Sequence, residues 1–186
     1  MEQSFFLLKH SATKKIVELF GKMEEHLKPL AQTFTPLVPG VNTTTGKIFR
    51  GENYRLFPYV VLDFPKLFST KSIFAFRTMF WWGHEFSFTL HLQGEALDQY
   101  RPVIERNMHM LQGKEVYYCV GDSPWQYHFE SDNYDRLDSL LTGGREFPRL
   151  NFLKLARKMD IQKYPNLVEE GVETYRIFMD LLRAEA

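Results

Sequence analysis

The sequence predicts an α+β fold, with an antiparallel sheet of four to five strands covered by helices mainly on one face. The first observation is residues 73–92, IFAFRTMFWWGHEFSFTLHL, which hold the densest run of aromatic and β-forming residues and predict a central β-hairpin. The second is grouping: strand-like runs cluster between two helical regions, which favours α+β over alternating α/β. The chain has 186 residues, without an internal repeat or clear boundary, so we expect a single domain over residues 1–186.

The second arm of the hairpin alternates between apolar and polar residues, which is typical of a half-buried strand. One side carries Phe86, Phe88, Leu90 and Leu92, and the other carries Ser87, Thr89 and His91. The first arm, residues 73–81, is apolar on both sides, so the register of the turn has to decide which residues share a face.

Two registers are open, and Arg77 distinguishes them. A two-residue loop at Gly83-His84 would place Arg77 among phenylalanines, where an unpaired charge is costly. A three-residue loop over 82–84 pairs Arg77 with Thr89 instead, and such loops commonly hold a left-handed glycine. We therefore favour the second register, which creates a dry, aromatic face and a mixed face. The mixed face carries Ala75, Arg77, Met79, Trp81, Glu85, Ser87, Thr89 and His91.

The chain before the hairpin predicts three elements. Apolar residues at helical spacing predict an amphipathic helix over 13–33, which Pro29 bends or ends. Residues 34–56 contain many Pro, Gly and Thr and predict an irregular connection with a brief strand at 48–50. Residues 58–64, PYVVLDF, predict a strand next to the hairpin.

The chain after the hairpin predicts further strands and four helices. The helices are expected over 97–111, 134–141, 150–159 and 166–184, each from apolar residues three or four apart. Residues 116–120 predict a fourth strand, and 126–130 a fifth. Gly171 weakens the last helix and marks a position of close packing.

Composition narrows the classes of partner. The 23 basic and 23 acidic residues balance, which argues against nucleic acid or an anionic membrane surface as partner. Cys119 is the single cysteine, so no disulfide within the chain and no cysteine-based zinc site is expected, and a cytoplasmic location is favoured. The sequence has no run of 18 apolar residues, so it predicts no membrane span.

Catalytic and metal motifs do not emerge from the sequence. It has neither a glycine-rich phosphate loop nor a G-x-S-x-G elbow. His84-Glu85 begins like a zinc-protease motif, but Phe88 stands where the second histidine belongs. We therefore expect no cofactor and no metal site.

The candidate binding residues are five polar or amphipathic side chains at the hairpin and its neighbour strand: Asp63, Arg77, Trp81, Glu85 and His91. Arginine suits a carboxylate or phosphate, and histidine with a carboxylate can exchange protons near neutral pH. The other interpretation is a structural ion pair of Arg77 with Glu85 or Asp63, and pairs of that kind are commoner than functional sites.

Two segments together suggest a family. GENYRLFPYVVLDFP at 51–65 and the hairpin at 73–92 resemble a small family of uncharacterised bacterial proteins without an assigned activity. The resemblance is limited to residues 51–92. It implies a bacterial, cytoplasmic protein and supplies no catalytic residues.

The leading functional hypothesis is a soluble, non-enzymatic protein that binds a small molecule or another protein. Self-association as a homodimer is part of it, because exposed Trp81, Met79 and Arg77 are residues of the interface type. The alternative is a small hydrolase or isomerase that uses His91 and Glu85 as acid and base and Arg77 as anchor for an anionic substrate. Nucleic-acid binding by base stacking on the sheet is a weaker third hypothesis, against which the neutral net charge counts.

Overall fold

The predicted hairpin lies at the centre of a seven-stranded antiparallel sheet in the computed structural model, which describes residues 3–34, 37–143 and 150–183. The strands are β1 (Lys47–Tyr54), β2 (Phe57–Phe68), β3 (Ser72–Trp81), β4 (Glu85–Gly94), β5 (Tyr117–Cys119), β6 (Tyr134–Arg136) and β7 (Phe152–Asp160). The helices are α1 (Gln3–Thr33), α2 (Glu95–Asn107), α3 (Leu137–Thr142) and α4 (Leu167–Leu181). The sheet order is β1-β2-β3-β4-β7-β5-β6.

The hairpin has the predicted three-residue register. Arg77 lies opposite Thr89, and Ala75 lies opposite His91. Gly83 in the loop has a φ of 74°, in the left-handed region that favours glycine. The side of the sheet on which each hairpin residue lies was therefore predicted correctly from the cost of burying an unpaired Arg77.

The dry face of the sheet packs against helices. Helix α1 packs on β2 and α4, α2 packs on β3 and β4, and α4 packs on β4. The hairpin contributes Phe74, Phe76, Phe80, Phe86, Phe88, Leu90 and Leu92 to this core. Large aromatic side chains bury a large apolar area each, so this layer supplies much of the hydrophobic stabilisation.

The mixed face is covered as well, by chain that follows β5. Residues 120–133, which we call the covering segment, cross this face without regular secondary structure and lead into β6. Tyr127 of this segment packs with Val61, Met79 and Trp81 in a second apolar cluster. The mixed face is thus an interior surface.

The sheet has seven strands where four to five were predicted, and the α+β class is confirmed. Residues 150–159 were predicted as a helix, but Phe152–Asp160 form β7 between β4 and β5. This strand is buried on both faces, so its apolar residues occur at helical spacing by coincidence. The strand predicted at 126–130 is wrong, since these residues belong to the covering segment and the pairing strand is Tyr134–Arg136.

Helix α1 is longer than the predicted 13–33. It begins at Gln3 and continues through Pro29 to Thr33. Its buried side is Ile16, Phe20, Met23, Leu27 and Ala31, which matches the predicted stripe. Within the described ranges, no helix combines the length and the apolar character that crossing a bilayer requires.

Gly171 lies where α4 approaches α1, as the sequence indicated. A Cβ at this position would come within 2.6 Å of Met23 Sδ and 3.1 Å of Phe88 Cε1. Both neighbours are buried, so they have little freedom to move aside. The glycine therefore allows α4 to pack closely on Met23 of α1 and Phe88 of β4.

We expect Gly171→Ala to lower the free energy of unfolding by about 1 kcal/mol or more, because overpacking outweighs the gain in helix propensity. The matched control is Gly21→Ala in α1, where an added Cβ meets no atom within 4 Å. The control should stabilise by about 1 kcal/mol. Urea denaturation of both variants measures the difference, and equal effects would contradict the packing argument.

Candidate functional site

Arg77 and Asp63 form the centre of the polar network on the mixed face. The Arg77 Nε and Nη2 atoms donate to the two Asp63 carboxylate oxygens, each at 2.7 Å. Arg77 Nη1 donates to the Tyr127 hydroxyl at 2.5 Å, which joins the pair to the covering segment. Burial by itself lowers the pKa of Arg77, but the bonds to Asp63 and Tyr127 outweigh it and raise the pKa. This is the geometry of a structural ion pair, because each carboxylate oxygen of Asp63 accepts a hydrogen bond from Arg77.

His91 lies on the same face, beside a buried lysine. It pairs across strands with Lys154 of β7, and its ring contacts the edges of Trp125 and Phe152. Among the described residues, its Nε2 atom is buried without a hydrogen bond partner. Burial and the charges of Lys154 and Arg77 lower the pKa of His91 to about 3, although Gln93 acts in the opposite direction.

Lys154 is the group that sequence reasoning missed. It is 1% exposed, donates to the carbonyl oxygen of Gln126, and lies 4.3 Å above the Tyr127 ring. Burial is the main cause that lowers the pKa of Lys154 to about 7, with Arg77 adding to it and Cys119 opposing it. Reading Phe152, Lys154 and Ala156 as one side of a strand would have revealed it, but the helical spacing concealed this alternation.

Trp81 and Glu85 lie at the loop end of the hairpin. Trp81 is 5% exposed; its Nε1 donates to the Tyr54 carbonyl oxygen at 3.1 Å, and its ring stacks on His84 with centroids 3.5 Å apart. Glu85 is partly buried, and this burial raises its pKa. Glu85 and His91 are six positions apart on one strand, which corresponds to about 20 Å. The structure thus unites Asp63 with Arg77 and places His91 on their face, but it holds Glu85 apart.

A second polar cluster fixes the covering segment to the end of β1. The Tyr54 hydroxyl accepts the backbone N–H groups of Tyr127 at 2.7 Å and His128 at 3.2 Å. It therefore has its own proton to donate to His128 Nδ1, 3.0 Å away. The proton of the neutral ring then lies on Nε2, which donates to Asp132 at 3.0 Å.

This cluster also has the composition of a metal site. Ligand atoms of His128, Glu130 and Asp132 lie within 4.8 Å of one another. A metal would need the free electron pair of His128 Nε2, which the hydrogen bonds described above assign to a proton. Glu130 is also paired with Arg55 at 3.1 Å. The arrangement therefore favours a structural hydrogen-bond network, which attaches the covering segment to β1, over a metal centre.

An open, charged cleft of about 370 Å³ lies at the end of β7. It occurs because β5 pairs with β7 only at Leu155 and Ala156, so residues 157–160 extend beyond it. Glu115, just before β5, has a φ of 55°, which lies in the left-handed region. The charged lining includes Glu85, Glu115, Arg136, Arg157, Lys158 and Asp160.

Comparisons with known proteins place no constraint on this site. No family model matches the sequence, and neither the curated proteins nor the solved structures contain a match. The resemblance at residues 51–92 therefore stays a prediction, and the function has to be argued from the geometry.

The Arg77–Asp63 pair predicts a specific pattern of stability. The two side chains are only 11% and 3% exposed, so Asp63→Asn leaves a buried guanidinium without its counter-charge. We expect this variant to lose about 3 kcal/mol of unfolding free energy. The double variant Asp63→Leu with Arg77→Met should lose clearly less, because no charge remains buried. Chemical denaturation of the three proteins measures this, and a double variant as unstable as Asp63→Asn would contradict it.

His91 predicts loss of stability in acid. Its pKa is about 3 in the folded protein against an ordinary 6.5, so below pH 6.5 the unfolded chain binds a proton that the folded protein refuses. The free energy of unfolding therefore falls by up to about 1.4 kcal/mol per pH unit as pH drops from 6.5 towards 3. Lys154 acts in a separate window, above pH 7.

Denaturation midpoints at pH 7, 6, 5 and 4 measure this slope. His91→Phe keeps an aromatic ring at the position and removes the titrating nitrogen, so its midpoint should fall less steeply with acid. The exposed His109→Phe is the matched control and should retain the slope of the natural sequence. Equal slopes for all three proteins would show that His91 is not the cause.

Proposed function

We propose that the protein is a non-enzymatic binding protein whose ligand is an extended polypeptide segment of a partner. The segment would occupy the charged cleft and add a short strand beside residues 157–160 of β7. The observation that carries the proposal is the open strand edge inside the cleft, because β5 pairs with only two residues of β7. An exposed strand edge offers backbone donors and acceptors to another chain.

The side chains around this edge suit a peptide better than a simple anion. Arg136, Arg157 and Lys158 contribute positive charge, whereas Glu85 and Glu115 contribute negative charge. A mixed lining pairs with a segment that carries charges of both signs. Lys158 lies over the rings of Tyr117 and Phe129 at 5.4 and 5.2 Å, which leaves its ammonium group at the surface of the cleft.

The hydrolase or isomerase hypothesis receives no comparable support. His91 and Glu85 lie about 20 Å apart along β4, too far to act as acid and base on one small substrate. Two of the three guanidinium nitrogens of Arg77, Nε and Nη2, already donate to Asp63. A small anionic ligand held by Arg77 would have to displace this carboxylate. The proposal also includes a cytoplasmic location, because the single cysteine suits a reducing compartment.

The test begins with random twelve-residue peptides displayed on phage and selected on the intact protein. Enriched peptides are synthesised, and fluorescence anisotropy measures their Kd. We expect Lys158→Glu to raise the Kd at least ten-fold, because it reverses an exposed charge in the cleft. Lys47→Glu is the matched control, since Lys47 is also exposed but lies on β1 at the far edge of the sheet. It should leave the Kd unchanged.

The mode of binding has its own readout. N-methylation of alternate peptide residues removes the backbone donors on one edge of an extended peptide. One of the two alternating patterns should abolish binding, while the other, whose donors face away from β7, should preserve it. Equal effects of both patterns would overturn strand addition. If no peptide is enriched, the charges only protect the strand edge from aggregation, and the proposal is wrong.

A further inference from the structure

Exposed apolar side chains cluster at one end of the protein, at the start of α1 and the turn between β1 and β2. We call this the apolar end, and it consists of Phe5, Phe6, Leu7, Leu8, Leu56 and Phe57. Their exposed fractions range from 42% for Phe57 to 86% for Leu56. Large exposed apolar patches mark interaction surfaces in proteins.

Two contacts place the start of α1 at the same end of the protein as the turn between β1 and β2. The Gly46 N–H donates to Glu24 Oε1 at 3.0 Å, and Lys9 Nζ lies 2.6 Å from Glu52 Oε2. The two contacts are about 22 Å apart along the helix and about 20 Å apart along the strand. Helix α1 therefore runs alongside β1 in the opposite direction. Phe5, one turn before Lys9, is then level with the end of β1 and the turn that holds Leu56.

The turn between β1 and β2 holds two residues other than glycine in the left-handed region. Leu56 has a φ of 74°, and Arg55 before it has a φ of 49°. Such values are unfavourable for residues with a Cβ, and they cluster at functional positions. Leu56 is also 86% exposed, so its side chain gains almost no packing within the chain. The strained turn presents an apolar side chain outward.

We propose that the apolar end is the interface of a homodimer, with a second copy of this chain as its occupant. Taking about 200 Å² for a fully exposed large apolar residue, the patch offers roughly 700 Å² per copy. Two copies that covered all six side chains would bury at most about 1,400 Å², and this upper bound lies within the range of stable interfaces. A two-fold axis brings the same patch of each copy together, so one surface supplies both halves of the contact.

The charges at the edge of the patch favour this occupant over a lipid surface. Lys9 is paired with Glu52, and Arg55 is paired with Glu130. The two carboxylates are 74% and 64% exposed and would repel an anionic bilayer. A rim that carries both signs can instead pair with itself across a two-fold axis.

This interface replaces the one expected from the sequence. The expected homodimer used Met79, Trp81 and Arg77, but Met79 and Trp81 are 3% and 5% exposed and packed within the chain. The proposed interface shares no residue with the lining of the peptide cleft, so either proposal can fail alone.

Sedimentation equilibrium of the full chain tests the proposal. We expect twice the monomer mass at about 20 µM, because interfaces of this size have a Kd in the micromolar range or below. Leu8→Asp in α1 and Leu56→Asn in the turn should each raise the dimer Kd at least ten-fold. Asparagine tolerates the left-handed conformation, so Leu56→Asn removes apolar area without adding strain. The matched control is Met110→Asp, an exposed apolar residue outside the patch, which should leave the Kd unchanged.

Circular dichroism melts at low concentration establish that each variant is folded. A monomer at 100 µM, or a dimer that neither variant weakens, would overturn the proposal. Flotation with phosphatidylserine vesicles decides the remaining alternative. Binding by the natural sequence that Leu8→Asp abolishes would assign the patch to lipid and overturn the dimer. Absence of binding supports the second copy.

Discussion

The burial of Arg77 is the constraint on which the rest of the structure depends. Its guanidinium cannot lose its charge, so it has to find partners within the protein wherever the chain excludes water. Asp63 on the neighbouring strand supplies the carboxylate, and Tyr127 supplies a hydroxyl from a distant part of the sequence. These bonds hold Arg77 on the mixed face, join β3 to its neighbour β2 and keep the covering segment in position. One charged side chain thus links three elements that share no local sequence signal.

The covering segment changes the meaning of the mixed face. Polar groups on a sheet usually indicate either solvent or a binding site, but several of those on the mixed face and beside it are hydrogen-bonded within the chain. Tyr54 accepts two backbone N–H groups, Lys154 donates to the Gln126 carbonyl oxygen, and Asn133 donates to the His128 carbonyl oxygen. The dry face is covered by helices, and the covering segment occupies the part of the mixed face around Arg77. The two proposed binding surfaces, the cleft and the apolar end, accordingly lie at the rims of the sheet.

The sequence predicted the central hairpin well because one energetic argument about Arg77 had only two registers to decide between. The sequence could not predict the cleft, because the cleft depends on where β5 stops pairing with β7. The paired residues of these two strands lie almost 40 residues apart in the chain. The same limit explains the error at β7. Leu150, Leu153, Ala156 and Met159 follow helical spacing, and only the neighbours β4 and β5 reveal that both sides of this segment are buried. The covering segment has no regular secondary structure, and the strand predicted at 126–130 gave no indication that this chain lies over Arg77.

The two rim surfaces meet at the loop of the hairpin. His84 stacks on Trp81 at 3.5 Å, contacts the Phe57 ring of the apolar end at 4.9 Å, and lines the cleft. Trp81 is held in turn by the carbonyl oxygen of Tyr54, whose hydroxyl anchors the covering segment. The side chain between the two surfaces is thus fixed by the same network that buries Arg77. In the proposed complexes, this packed stack would hold both surfaces in a constant relative position, and such preorganisation limits the entropy lost on binding.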